Sequence, residues 1–238
     1  MSAVSATSSV FTLGHSPDPD DAFMFYAMAE NKIDLRGYRF EHRLEDIQTL
    51  NERALRGELH ISAISIHAYA YVSDRYALLP CGASMGDGYG PMIISVDAPG
   101  LRSDTEIREW LRGRTIAIPG EMTSAFLALQ LYLGEFEFIV VPFEQIFDAV
   151  KSRRAAAGLI IHEGQLTYAR SGIVERRLVA DRSAPQRSSF YLIGGLHVRL
   201  CDIKAYLVKV ERLRGNTRFA RECVVERRAE SARCKTRV

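Results

Sequence analysis

From residue 10 to residue 161, short apolar runs alternate with segments of helical period, which restricts the chain to the α/β class. The run 10–13 leads into Gly14-His15-Ser16-Pro17-Asp18-Pro19-Asp20-Asp21 and then the apolar-rich 22–29, which reads as strand, tight loop and helix. The two prolines forbid a helix through the loop, and Asp20 or Asp21 is placed to cap the helix behind it. A second helix is predicted over 47–55, with Ile47, Leu50, Ala54 and Leu55 on one face and Gly57 as its stop. Strands are predicted at 60–66, 76–80 and 91–96, and a helix begins at 68–72. Beyond a change of lobe near 96–101, helices are expected at 104–111, 125–133 and 143–150, with strands at 114–118, 138–141 and 157–161. This order predicts a mostly parallel sheet in each lobe.

Past residue 175 the pattern changes. No clean period runs through 176–187, 189–200 reads as a strand pair interrupted at Gly194-Gly195, and 203–213 as an amphipathic helix. Charge changes with it. Residues 170–238 hold 17 Lys and Arg against 7 Asp and Glu, whereas the chain before them holds 14 against 22. A basic arm of this kind suits nucleic acid only with a recognisable module or interleaved aromatics. Phe219 is the one aromatic residue among the last 30, so no nucleic-acid partner is expected. The four cysteines, at 81, 201, 223 and 234, form no C-x-x-C, which argues against a zinc knuckle or a dithiol motif. The start of the chain has no signal-peptide pattern, and no apolar run is long enough for a membrane span, so a cytoplasmic protein with reduced thiols is expected.

Open α/β sheets bind ligands beyond the carboxyl ends of their strands. The loops that leave such ends here are 14–21, 120–124 and 162–167, with 65–67 a fourth. Thr123 and Ser124 stand at the start of a helix, where hydroxyls and open N–H groups suit a carboxylate, although on these residues alone a plain N-cap is preferred. His162 ends an apolar strand and precedes Glu163-Gly164. Its imidazole suits a general base at neutral pH, and a structural histidine at a strand end is the competing reading. Asp18, Asp20 and Asp21 suggest an acidic metal site, but the prolines between them make an oxygen cage awkward and capping is preferred. The glycines at 82, 86, 88 and 90 form neither a dinucleotide fingerprint nor a P-loop, and no G-x-S-x-G elbow is present. His15, His60 and His67 show no ligand spacing.

Several of these motifs occur together, in order, in one known family. The stretch Gly14 to Tyr26, Glu45-Asp46-Ile47-Gln48-Thr49-Leu50-Asn51, Ser65-Ile66-His67-Ala68-Tyr69 and the glycine-rich 82–91 resemble the first lobe of 1,4-dihydroxy-6-naphthoate synthases of the futalosine route to menaquinone. Pro119-Gly120 with Thr123-Ser124-Ala125, and Gly158-Leu159-Ile160-Ile161-His162-Glu163 with Thr167-Tyr168, resemble the second. The likeness runs from about residue 11 to 174. It implies a two-lobe α/β fold like that of periplasmic binding proteins (type II) with a central cleft. Lobe 1 would take 9–95 plus 190–238, and lobe 2 would take 96–189. It further implies a small-molecule substrate, cyclic dehypoxanthinyl futalosine, cleaved by a carbon–carbon lyase without metal or organic cofactor. Carried over position by position, His162 is the catalytic base, Thr123 and Ser124 hold the carboxylate end, and Ser65 belongs to the first-lobe ligand strand. The neighbours Ala63, Ile64 and Ala125 complete the expected substrate contacts.

The same family continues with a Trp-containing helix and a Leu-Pro-Leu-Pro-Leu-Gly-Gly strand, of which only Leu192-Ile193-Gly194-Gly195 has a counterpart here. Together with the charge swing, this reads as a frameshifted or eroded gene end, with a weakened first lobe expected. A chain so altered can be an inactive family member. The fold equally allows a non-catalytic binding protein for a small carboxylate, and chorismate dehydration is a sister activity on the same scaffold.

Overall fold

The structure is a computed structural model. It describes residues 10–79, 82–83, 90–97 and 103–161, together with the backbone of four later strands at 174–177, 190–191, 197–198 and 204–209. The chain divides into two compact units, with changeovers between residues 84 and 85 and between 203 and 204.

The first unit opens with strand β1 (Val10–His15) and helix α1 (Pro19–Ala29). The helix begins earlier than Asp20 or Asp21 would allow as caps. Pro19 is tolerated in its first turn, because a proline there has no N–H to lose and its fixed φ is already helical. Strand β2 (Arg39–Leu44) follows, then α2 (Ile47–Arg56), β3 (Ile61–Ser65), the short α3 (Ile66–Tyr69) and β4 (Tyr76–Leu78). Asp46 caps α2 by accepting from the N–H groups of Gln48 and Thr49, and Gly57 closes it in the left-handed region at φ 70°.

The second unit contains β5 (Met92–Ser95), α4 (Asp104–Leu111), β6 (Ile116–Ile118), α5 (Ser124–Leu133) and β7 (Phe138–Val140). A 3-10 turn then leads into α6 (Ile146–Lys151), followed by β8 (Ala157–Ile160), β9 (Val174–Arg177), β10 (Phe190–Tyr191) and β11 (His197–Val198). Ser103 and Glu106 form a reciprocal capping box at the head of α4. The last strand, β12 (Lys204–Lys209), lies in the first unit.

The first sheet has the order β2-β1-β3-β12-β4 and the second β7-β6-β8-β5-β9. In the first, β1 pairs in parallel with β2 and β3, and β12 runs antiparallel to both β3 and β4. In the second, β6 pairs in parallel with β7 and β8, and β5 runs antiparallel to both β8 and β9. Each sheet is therefore mostly parallel, with one reversed strand in its fourth place.

Two expectations change. The segment at 203–213, predicted as a helix, supplies strand β12, because pairing on both edges outweighs a weak helical pattern. The lobe boundary expected between 95 and 96 comes earlier, since β5 hydrogen-bonds into the second sheet, and the 190–198 hairpin also falls in the second unit.

Burial follows from the strand period of two. In the second sheet Ile94, Ala117 and Ile160 pack on one face against Ile146, Ala149 and Val150 of α6. Ile93, Ile116, Ile118 and Leu159 pack on the other against Leu111 of α4 and Ala125, Phe126 and Leu129 of α5. A sheet covered on both faces needs apolar residues at successive positions, which is why these strands read as unbroken apolar runs. In the first unit Leu50, Ala54, Leu59, Ile64 and Tyr76 are fully buried or nearly so, and the Tyr76 hydroxyl donates to the Leu59 carbonyl at 2.8 Å.

Candidate functional site

Parallel strands bring the carboxyl ends of β1 and β3 to one edge of the first sheet, with Gly14 in register with Ser62. His15 and Ser16 leave β1 at this edge and Ser65 leaves β3. All three are buried. The Asn51 side chain from α2, also fully buried, meets Ser65 twice. Its Nδ2 donates to Ser65 Oγ at 3.0 Å, and its Oδ1 accepts from the Ser65 N–H at 2.9 Å. Ala63 and Ile64 are fully buried in β3, backbone included. Ser62 Oγ donates to the Ala63 carbonyl at 2.9 Å.

Asp18 and Asp21 organise the loop after β1. The Asp21 carboxylate accepts from the Ser16 N–H at 2.6 Å, and Ser16 Oγ lies 2.6 Å from Asp18 Oδ2 and 3.0 Å from Asp21 Oδ2. These carboxylates hold the turn through Ser16 rather than by capping α1 in the ordinary way, since the N-cap residue Asp18 makes no side-chain cap bond. Among the described residues no group of three His, Cys, Asp or Glu side chains is arranged to hold a metal ion.

His15 Nε2 lies 2.9 Å from Nδ1 of His42 on β2, and His15 Nδ1 lies 3.2 Å from the Ser16 carbonyl. The His15 ring also packs on Phe25 of α1, with centroids 4.6 Å apart. A carbonyl only accepts, so His15 Nδ1 carries a hydrogen. Neutral His15 then accepts at Nε2 from His42 Nδ1–H. Burial first, and the neighbouring His15 second, hold the His42 pKa below its ordinary 6.5. Sequence reasoning missed this pair because β2 was not recognised. The alternation of Phe40, His42 and Leu44 with Arg39, Glu41 and Arg43 was the available signal. His60 is occupied structurally: its Nδ1 accepts from the Thr12 N–H at 3.0 Å, and its own N–H donates to Thr12 Oγ1 at 3.0 Å.

In the second unit, β6 ends at Ile118 and Pro119-Gly120 turns the chain toward α5. Thr123 and Ser124 divide the work there. Thr123 Oγ1 accepts from the Phe126 N–H at 3.1 Å and donates to the Gly120 carbonyl at 2.9 Å, so its hydroxyl is committed to the cap. Ser124 Oγ is buried and has no hydrogen-bond partner among the described residues. A buried hydroxyl left unsatisfied costs about 1–3 kcal/mol, so such a group points to a missing acceptor or donor. The Ala125 methyl is fully buried in the core, and only its N–H faces the helix start.

Strand β8 lies beside β6 in parallel, with Ala117 in register with Gly158, so both strands end at the same edge. The continuously described residues of this unit end at Ile161. His162, the expected base, lies outside the described residues. Thr123, Ser124 and Ala125 are thus brought together in the second unit, and Ser65, Ala63 and Ile64 in the first.

Two α/β units with matching sheet orders define a two-lobe substrate-binding-protein fold. The alkanesulfonate-binding protein SsuA of Xanthomonas axonopodis pv. citri shares it at a TM-score of 0.63 and 13% identity, covering 91% of this chain and 71% of that one. The profile of a family described as menaquinone biosynthesis matches residues 11–178, and the chain belongs to that family. A 1,4-dihydroxy-6-naphthoate synthase of Thermus thermophilus is 39% identical over 163 residues, 68% of this chain and 56% of the relative. The chain therefore spans little more than half of that relative's length. An Archaeoglobus fulgidus protein of known crystal structure is 38% identical with a TM-score of 0.69, covering 84% of this chain and 68% of that one. No helix among the described residues is long and apolar enough to cross a membrane.

Proposed function

We propose that this protein is a lyase of menaquinone synthesis that converts cyclic dehypoxanthinyl futalosine to 1,4-dihydroxy-6-naphthoate, with His162 as general base. The observation that carries the reading is the Ser124 hydroxyl, buried without a partner among the described residues at the head of α5 in a chain of this family. Ser124 Oγ and the first N–H groups of α5 are suited to a substrate carboxylate, helped by the helix dipole. Thr123 supports them by fixing the cap. On the first unit the polar group proposed to meet the ligand is Ser65, next to Ala63 and Ile64 in β3.

Strand β8, which precedes His162 in the sequence, ends at the edge that also carries the start of α5. A base there takes a substrate proton and starts the elimination, and the reaction as proposed needs neither metal nor organic cofactor. The test is turnover of the cyclic futalosine by wild type and by His162→Ala. A general base contributes roughly 10²–10⁴-fold, so the variant is expected to lose at least about 10²-fold in kcat. Equal turnover in both would remove His162 from the mechanism.

A second reading is a non-catalytic binder of a small carboxylate, or an inactive family member. It is favoured by the likeness in fold to the alkanesulfonate-binding protein SsuA. Ligand binding by wild type without turnover would select it.

A further inference from the structure

We infer that Asn51 is a positioning residue that sets the hydrogen-bonding direction of Ser65, making Ser65 a donor to an oxygen acceptor on the ligand. This rests on the proposed reading of Ser65 as a ligand contact.

The argument starts from the backbone. The Ser65 N–H can only donate, so the Asn51 side-chain atom 2.9 Å from it is the amide oxygen. The other end of the amide is then the NH₂ group, and it donates to Ser65 Oγ at 3.0 Å. The hydroxyl oxygen is thereby used as an acceptor, and its own hydrogen is left to point elsewhere. Ser65 is the residue before α3, yet its hydroxyl makes no cap bond to that helix. No other acceptor among the described residues takes the hydrogen. Ser65 is only 4% exposed and Asn51 is 0% exposed, so water competes poorly for either group. A ligand atom at this strand end therefore meets a fixed O–H donor, and a carboxylate, carbonyl or hydroxyl oxygen fits it where an ammonium or amide N–H does not.

Asn51→Asp reverses this polarity with almost no change of shape. One carboxylate oxygen still accepts from the Ser65 N–H. The other accepts the Ser65 hydroxyl hydrogen and turns it away from the ligand. Asn51→Ala removes the amide without adding charge, and serves if the acid prevents folding. Each is made alone and with Ser65→Ala, and affinity for 1,4-dihydroxy-6-naphthoate is measured by calorimetry beside the thermal midpoint. Loss of one such hydrogen bond corresponds to about tenfold in affinity.

The expected result is about tenfold weaker binding for Ser65→Ala and for either Asn51 variant, with no further loss in the double variants. If the Asn51 variants weaken binding equally in the wild-type and Ser65→Ala backgrounds, Asn51 does not act through Ser65 and the inference is overturned. If Ser65→Ala leaves affinity unchanged, the premise that Ser65 touches ligand fails, and the inference with it. If wild type does not bind the naphthoate at all, the proposed function falls too.

Discussion

His15 Nε2 and His42 Nδ1 share one hydrogen across 2.9 Å. A folded pKa held below 6.5 means that the unfolded chain takes up the His42 proton first as pH falls. The stability tied to neutral His42 is therefore complete above 6.5 and is lost as pH falls from there through the depressed folded value. Wild type is expected to lose more thermal stability than His42→Gln between pH 7.5 and about 5.5. Glutamine keeps an N–H donor for His15 and does not titrate. Parallel melting curves of the two proteins in that interval would expose the error in this assignment. At the same scale, Thr123 and Ser124 were indistinguishable in the sequence, since either can start a helix. Only the coordinates show that Thr123 fills the cap and Ser124 does not.

Among the elements, the strand–helix units were legible wherever both faces of a strand are buried, because burial imposes an apolar run. Strand β8 is the clearest case. Within it, Gly158 is set by packing rather than by chemistry. A Cβ there would come within 2.6 Å of Ile146 Cγ2 and 2.9 Å of Val150 Cγ2, both methyls on stiff β-branched residues of α6. Gly158→Ala is expected to cost about 1–3 kcal/mol in urea unfolding. A cost near zero would show that α6 can shift away freely. Strand β2 was missed because it stands at the sheet edge, where exposed Arg39, Glu41 and Arg43 dilute the apolar signal. Strand β12 was misread because its register with β3 and β4 joins positions far apart in the chain, with Ala205 opposite Ile64 and Val208 opposite Ala77. No local pattern encodes a partner that distant.

Both units follow one sheet plan: two parallel strands flanking a central one (β1 or β6), then a reversed strand (β12 or β5), then an outer one (β4 or β9). Among the described residues β4 is paired through β12 alone, so a strand from late in the chain completes the first sheet. Ending the chain after residue 203 is expected to abolish hydrogen-exchange protection in β4 and lower it in β3, while β6 and β8 keep theirs. Unchanged protection in β4 would mean that β12 contributes nothing to the unit. The basic late segment, read from sequence as an eroded end, thus includes a strand with a defined place in the fold.

The sequence alone determined the α/β class, the alternation of elements through residue 161, and the loops at the strand ends, because these depend on local period, capping and turn chemistry. The tertiary structure decided which strand closes each sheet, that His42 meets His15, that Asn51 clasps Ser65, and that Thr123 rather than Ser124 fills the cap of α5. Each of these joins residues, or separates neighbours, through backbone pairing and burial that arise only once the chain has folded.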